Sequence, residues 1–172
     1  MMKSRKIRFL LLLTFALLVL SLTAVAADVH SLGYNSVDAN EIRWGGSNYY
    51  SSNRTTAIAN WNSLNHINIA PDDAWHVEDL TFSDVNLSDV TWTGRYTHTP
   101  IGADKIEINN YYLNSDGDPE RTNTFLHELG HALGIGDHDS SQYSSIAMYY
   151  VQTSITSPQS HDIVDYNNLW AP

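Results

Sequence analysis

Cysteine is absent from the 172-residue chain. Disulfide bonds therefore cannot stabilise the fold, and no thiolate is available to block a metal centre. A chain of this length can bury a core large enough to do without disulfides. Its stability must come from packing and from any metals that it binds.

Basic residues are also scarce, with nine Lys and Arg against nineteen Asp and Glu. Four of the nine lie close to the N-terminus, at Lys3, Arg5, Lys6 and Arg8, and removing these four positive charges changes the formal net charge from −10 to −14. So acidic a surface repels nucleic acid and anionic lipid, which excludes both as expected partners. The acidity favours solubility, and some of the carboxylates could bind calcium.

The basic N-terminus is followed by an apolar run at 9–22 that is shorter than the roughly 20 residues needed to span a bilayer. The run ends before Ala24-Val25-Ala26, which is a small-x-small cleavage site. Residues 1–26 are therefore predicted to be a secretory signal peptide, rather than an uncleaved membrane anchor. We expect a secreted, extracellular protein with no membrane attachment after cleavage.

The remaining residues, 27–172, have the size of a single domain with one core, and we expect a monomer. Sequence periodicity predicts one helix, at 54–64, and four strands, at 41–44, 77–82, 90–98 and 105–113. A longer helix should start at Asp118, as N-cap to Pro119, and end near Leu133, because Gly134 can adopt the positive φ that terminates a helix.

A last helix is indicated at the C-terminus by apolar residues at helical spacing, namely Ile163, Tyr166, Leu169 and Trp170. The order of elements predicts an α+β fold. We expect a twisted sheet of four or five strands, with one helix packed on the sheet, a long helix and a C-terminal helix.

Two histidines in the long helix have the spacing of metal ligands. His127 and His131 are four residues apart, so both project from one helix face and can bind a zinc ion at about 2.0–2.1 Å. Glu128 lies beside them, where it can take a proton from a zinc-activated water and deliver it to a leaving amine. The same spacing would arise by chance in at most about one chain in a hundred of this length.

Glutamate is absent beyond Glu128. A zinc site needs a third protein ligand, and in one large class of zinc peptidases that ligand is a Glu on a second helix. The absence excludes this class unless an Asp substitutes. In the remaining kind of zinc site, the helix ends at a glycine, and the residues after it turn back so that one of them binds the metal. Gly134 lies where such a turn is required.

The run 127–137, HELGHALGIGD, resembles the zinc-binding motif of the metzincin peptidases. Its sequence is most similar to the motif of the matrixins and their bacterial relatives. Met148 is similar to the methionine that these enzymes carry in a turn beneath the metal. The resemblance implies a zincin-type fold, a catalytic zinc, Glu128 as general base and Met148 as an apolar floor of the site.

The resemblance extends to two further segments. Residues 105–109 are similar to the family's edge strand, which pairs with an extended substrate, so Ile106 and Ile108 are expected on a strand that binds substrate backbone. Residues 161–170 resemble the C-terminal helix of a matrixin catalytic domain. The walls of the specificity pocket are expected between 139 and 157.

The third ligand departs from the family pattern. Asp137 stands where the family usually has His, and His138 follows it. An Asp oxygen binds zinc at about 2.0–2.2 Å, and the order Asp-His resembles the snapalysin variant, so Asp137 is the expected ligand. The alternative is a loop lengthened by one residue, in which His138 binds the zinc.

Tyr150 follows Met148 by two residues. A Tyr at this position in astacin-like metzincins can reach the zinc and hydrogen-bond the oxyanion of the reaction, whereas matrixins use the turn for packing alone. Tyr150 is therefore a candidate catalytic residue, and packing beneath the site is the alternative.

The other histidines have no mutual ligand spacing, and each is expected at the surface or in a hydrogen bond: His30, His66, His76, His98 and His161. A second, structural zinc site of the matrixin kind would combine His76 and His98 with Asp84 or Asp104, but the family's spacing is not reproduced. The acidic segment 116–120 resembles a calcium loop only loosely, and turn formation with helix capping explains it.

These features favour a secreted zinc endopeptidase that hydrolyses internal bonds of extended polypeptides. Two alternatives use the same ligands. One is a secreted, non-catalytic zinc-binding interaction module, which would not need Glu128. The other is a zinc amidase acting on a non-peptide substrate, which would need a closed pocket rather than an open strand edge.

Overall fold

The computed structural model describes residues 29–172, so the predicted signal peptide lies outside the described residues. Within that range no helix has the length and hydropathy needed to cross a membrane. The elements in chain order are β1 Glu41–Gly46, α1 Ser51–Asn62, β2 Asn68–Pro71, β3 Leu80–Val85, β4 Gly94–Thr97, β5 Asp104–Asn109, α2 Asn110–Leu113, α3 Asp118–Ala132, a 3-10 turn Ser141–Tyr143 and α4 Ser160–Trp170. The predicted α+β fold is confirmed.

The five strands form one sheet in the order β2-β1-β3-β5-β4. Strand β4 is an edge and runs antiparallel to β5, whereas the other neighbouring strands are parallel. The prediction that 105–109 is the substrate-binding edge is wrong, because β5 pairs on both sides and Ile106 and Ile108 are fully buried. Alternating apolar residues reveal a covered face but do not reveal which strand ends the sheet.

The long helix α3 is anchored by its apolar face. It packs against α1 and contacts β4 and β5. Phe125, Leu126 and Leu129 are fully buried, and each contributes roughly 1.5–3 kcal/mol relative to an exposed side chain. The indole N–H of Trp61 in α1 donates to Leu126 O at 2.9 Å, and its ring lies 5.9 Å from that of Tyr166 in α4. The position of α3 relative to the sheet is thereby fixed.

At the opposite edge of the sheet, the side chain of Asn62 forms hydrogen bonds with the backbone of strand β2. The Asn62 amide at the end of α1 donates to Ile69 O at 2.9 Å and accepts from Ile69 N–H at 2.8 Å. Pro71 ends the strand and has no N–H to offer. The Asn62 amide thus occupies both backbone groups of Ile69 in the edge strand β2.

Several predicted bounds differ from those in the structure. The strand predicted at 105–113 stops at Asn109, because the Asn109 side chain accepts the N–H of Tyr111 at 3.3 Å and caps the short helix α2. Only 94–97 of the predicted strand 90–98 lies in β4. Strand β2 was not predicted, since four residues ending in proline give no periodic signal. Gly117 rather than Asp118 is the N-cap of α3.

Candidate metal centre

Three ligand-type side chains meet at the C-terminal end of α3. The Nε2 atom of His127 lies 3.0 Å from Asp137 Oδ1, and that of His131 lies 3.6 Å from the same oxygen. One ligand atom from each of the three side chains falls within 4.8 Å of the others. The two histidines are largely covered, whereas the Asp137 side chain is 51% exposed. The structure therefore brings together the three residues expected to bind zinc.

The ring orientation of both histidines is set by backbone carbonyls. His127 Nδ1 lies 3.0 Å from Ala147 O, and His131 Nδ1 lies 2.9 Å from Ile135 O. A carbonyl can only accept, so each Nδ1 donates and each Nε2 faces Asp137. Metal-binding histidines almost always have such a partner on the second ring nitrogen. These residues fit a zinc ion.

The charges in this group stabilise one another. Burial lowers the pKa of His127, but the hydrogen bond with Asp137 and the charges of Asp137 and Glu128 outweigh it and raise this pKa to about 8. Burial raises the pKa of Asp137, but the hydrogen bond with His127 and the charge of His131 outweigh it and lower this pKa. A bound cation at this point would take the place of the proton between His127 and Asp137.

The turn after α3 returns Asp137 to the helix. Gly134 has φ of 89°, a conformation that side chains with a Cβ rarely adopt, and Ile135 N–H donates to Gly130 O. The N-terminal segment then holds the loop, since Leu32 N–H donates to Gly134 O and Gly136 N–H donates to His30 O. The predicted helix end at Gly134 is confirmed.

His138 faces away from the two helical histidines. Its ring is fully buried, and Nε2 lies 2.8 Å from Asp165 Oδ2 in α4. Its backbone pairs with the following turn, because His138 N–H donates to Met148 O and Tyr150 N–H donates to His138 O. Burial lowers the pKa of His138 more than the hydrogen bond with Asp165 raises it. The structure does not bring this residue, the alternative third ligand, to the group formed by Asp137.

Met148 lies beneath the helix that carries the histidines. Its side chain is fully buried against Gly130, where an added Cβ would clash with the Met148 sulfur. The turn around it is held by the carboxylate of Asp162 in α4, which accepts the N–H of Ala147 at 2.9 Å and that of Met148 at 3.0 Å. Met148 is thus a buried residue packed against the helix that carries the histidines, and its role as a floor of the site stays a prediction.

Glu128 bridges the helix and the edge strand. The side chain is 6% exposed, and its Oε2 accepts the backbone N–H of Tyr96 at 2.7 Å. The strand can approach so closely because residue 94 is a glycine: an added Cβ would lie 2.7 Å from Thr124 Cγ2 and 2.8 Å from Glu128 Cγ. The carboxylate is thereby fixed beside the three ligand-type residues.

These residues line an open cleft of about 560 Å³. One wall is the segment 91–96, which includes part of β4, and the other is the segment 149–152, with α3 as the floor. Tyr150 is 56% exposed on the second wall. The cleft follows the free edge of β4.

A second group of ligand-type side chains was missed by sequence reasoning. Among the described residues two such groups occur, and the second combines His30, His138, His161 and Asp165. Three separate segments supply them, and only His161 and Asp165, four residues apart, have a spacing that the sequence shows. The histidines proposed for a second site do not meet: His76 lies 2.8 Å from Asp73, and His98 lies 3.1 Å from Asp104.

The acidic segment 116–120 belongs to neither group of possible metal ligands among residues 29–172. Asp116 accepts a hydrogen bond from the Gln152 amide at 3.1 Å, and Asp118 pairs with Arg121 at 3.3 Å. The helix α3 starts at Asp118, which agrees with the expectation that the segment starts a helix.

No family model and no curated protein sequence matches the chain. Among solved structures it is similar to a chain in "GM1 bound form of the ECX AB5 holotoxin", with a TM-score of 0.59 and 15% identity over 79% of this chain and 83% of that chain. It also matches the high choriolytic enzyme 1, a hatching enzyme zinc-protease from Oryzias latipes, the Medaka fish, with a TM-score of 0.49 and 16% identity over 75% of this chain and 88% of that chain. The first likeness concerns the fold alone.

Proposed function

We propose that this protein is a secreted zinc endopeptidase of the metzincin type, with a matrixin-like site in which Asp137 is the third ligand. The observation that carries the proposal is the convergence of His127, His131 and Asp137 in an open cleft beside the Glu128 carboxylate. Three protein ligands leave one position of a tetrahedral zinc open, as in catalytic rather than structural zinc sites.

Bound zinc would supply a Lewis acid that polarises a peptide carbonyl and makes water more acidic. Glu128 supplies the proton transfers, first accepting a proton from the attacking water and then delivering it to the leaving amine. Its Oε2 is engaged by Tyr96 N–H, so Oε1 is the oxygen that carries the proton. Asp137 would add a negative charge to the ligand group, which neither histidine does. This charge would reduce the extent to which a bound zinc lowers the pKa of the water.

An extended substrate would pair with β4, in place of the strand expected from the sequence. In an antiparallel pair the backbone groups of alternate residues point outward, and Tyr96 N–H points outward because it reaches Glu128. The groups of Gly94, two residues earlier, therefore point outward as well. A peptide strand added there would run past Glu128 and be held through its backbone.

Selection among substrate side chains is assigned to the opposite wall of the cleft, at 149–152, within the segment expected to shape the pocket. Tyr150 is the principal candidate on that wall. Its 56% exposure supports contact with a substrate and does not suit the alternative of packing beneath the site. We propose that its hydroxyl hydrogen-bonds the oxyanion of the reaction.

Export would follow from cleavage after residue 26, and the acidic surface suits a soluble monomer that acts on extracellular polypeptides. Neither nucleic acid nor anionic membrane is a proposed partner.

The test is a digest of denatured casein by the full gene product, purified as its host processes it. Wild type is compared with chelator-treated wild type, with Glu128→Gln and with Glu120→Gln, a matched control in the first turn of the same helix. We expect Glu128→Gln to keep its zinc and to lose about 10²–10⁴-fold in activity, the usual contribution of a general base. The control should cleave like wild type.

Zinc binding without casein cleavage in every sample would contradict the peptidase proposal and favour the interaction module. Hydrolysis of small amides without cleavage of casein would favour the amidase instead. Both results are distinguishable from a folding failure by circular dichroism of the same samples.

A further inference from the structure

A second cluster of metal-ligand side chains lies behind the loop that carries Asp137. His161 and Asp165 are four residues apart in α4 and project from one helix face. His138 follows the proposed zinc ligand, and His30 belongs to the N-terminal segment. One ligand atom from each of the four lies within 4.8 Å of the others.

The four side chains are packed as a unit. His138 Nε2 lies 2.8 Å from Asp165 Oδ2, and the His138 ring centroid lies 3.8 Å from that of His30 and 4.7 Å from that of His161. Tyr143 covers the cluster, with its ring 4.5 Å from His138 and 4.8 Å from His161. His138 and Asp165 are fully buried, so this is not a group of surface residues that meet by chance.

Three polar atoms of the cluster are buried without a hydrogen-bond partner: His138 Nδ1, His161 Nε2 and Asp165 Oδ1. Leaving such an atom unpaired in the interior is unfavourable, and more so when the group is charged. Two imidazole nitrogens and a carboxylate oxygen are satisfied together by a cation that accepts their lone pairs. The chemistry of these three atoms fits a metal ion.

We propose that His30, His138, His161 and Asp165 form a second metal site, selective for zinc and structural in function. Three imidazoles and one carboxylate suit zinc, whereas calcium and magnesium prefer oxygen ligands alone. Zinc bonds of about 2.0–2.1 Å place tetrahedral ligand atoms roughly 3.3 Å apart, so the cluster contracts slightly on binding. Four protein ligands fill the coordination sphere and leave no position for a substrate.

The site would join three parts of the chain that are distant in sequence. The N-terminal segment through His30, the loop through His138 and α4 through its two ligands would be tied to one ion. His138 is adjacent to Asp137, so this ion would also fix the loop that brings Asp137 to the cleft. In a chain without cysteine, such an ion takes the stabilising place of a disulfide.

The experiment measures zinc per chain by inductively coupled plasma mass spectrometry, on full gene product dialysed against metal-free buffer. We expect two zinc ions in wild type and one in each of His30→Ala, His161→Ala and His131→Ala. His76→Ala is the matched control, an exposed histidine outside both groups, and should keep two. Thermal unfolding should show that His161→Ala, unlike the control, loses part of the stabilisation that added zinc gives, because only the zinc of the cleft still binds.

A wild-type protein that takes up a single zinc, lost in His131→Ala and kept in His161→Ala, would overturn the second site and leave the peptidase proposal standing. A single zinc lost in His161→Ala and kept in His131→Ala would support the second site and overturn the proposed metal centre in the cleft. Titration of metal-free wild type with Co²⁺, followed by absorbance, needs no variant. One equivalent at saturation, in a protein that then cleaves casein, counts against the second site even if the variants fail to fold.

Discussion

The backbone N–H of Tyr96 donates a 2.7 Å hydrogen bond to Oε2 of Glu128, which ties the edge strand directly to the helix that carries two ligand-type histidines. The position of the proposed base therefore depends on how closely β4 approaches α3. Gly94 controls that approach, because it has no side chain to hold the two elements apart.

Gly94→Ala should separate β4 from α3 and displace the Glu128 carboxylate. Misplacing a catalytic group by about 1 Å can cost 10²-fold in rate, and we expect a loss of this order in kcat/KM with zinc content unchanged. Thr97→Ala, an exposed position on the same strand, is the control and should retain activity. Wild-type kcat/KM in Gly94→Ala would show that the close approach does not position the base.

Gly130→Ala should destabilise the fold by about 1–3 kcal/mol, because the new methyl group would overlap the Met148 sulfur. Met148→Ala alone should cost about 2–5 kcal/mol by leaving a cavity. The double variant should be more stable than the sum of the two predicts, since the methyl group then occupies part of that cavity. Urea unfolding of the four proteins measures this coupling, and strict additivity would mean that the two residues do not share the space.

Asp137→Asn should lose the zinc of the cleft and the activity with it, because the amide removes the negative charge from the ligand group. Asp139→Asn, two residues later and exposed, changes the net charge equally and should keep both. Metal analysis with the casein digest distinguishes the two variants.

His138→Ala tests the alternative ligand and should give the opposite pattern. The zinc of the cleft should stay, while stability falls by roughly 3–5 kcal/mol because Asp165 loses the partner of a buried pair. Loss of the cleft zinc in a folded His138→Ala, with zinc retained in Asp137→Asn, would reverse our choice of ligand.

Asp104→Asn should weaken the acid dependence of stability. Burial raises the pKa of Asp104, but hydrogen bonds from Tyr96 OH, Thr99 N–H and Ser36 OH outweigh it and lower this pKa below the ordinary value. Such a carboxylate stabilises the fold above its unfolded pKa of about 3.9, and the contribution is lost as the pH falls through the lower folded pKa.

Stability measured from pH 7 to pH 2 should therefore fall less steeply in Asp104→Asn than in wild type, from a lower starting value. Asp118→Asn, whose side chain is 80% exposed, should follow the wild-type curve. Identical slopes in the Asp104 variant and wild type would mean that its hydrogen bonds do not favour the charged form.

What the sequence could predict was largely what is local in the chain. The spacing of His127 and His131, the helix that carries them and its end at Gly134 depend on neighbours within a turn or two, and the structure has each of them as expected. Spacing favours Asp137 over His138 as the expected ligand, whereas the hydrogen bond between His138 and Asp165 in α4 joins distant segments and could not be predicted.

The remaining differences come from contacts between distant segments. Ile106 and Ile108 have the alternation of any half-covered strand, and only the pairing of β5 with both β3 and β4 shows that the strand is internal. The cluster around His161 is assembled from three segments, and within it only His161 and Asp165 share a helical spacing. Sequence periodicity indicates which face of a helix or strand is covered. It does not indicate which other segment of the chain covers that face.

The Asn62 amide that occupies the backbone of Ile69 has a consequence for self-association. Unpaired strand edges recruit further chains and start fibrils, and β2 is protected from this by the amide and by Pro71. A second copy adding to the sheet would thereby be directed to β4, where it would compete with the proposed substrate for the same backbone groups. A high substrate concentration should then keep the protein from aggregating. Aggregates should first form when the substrate has been consumed.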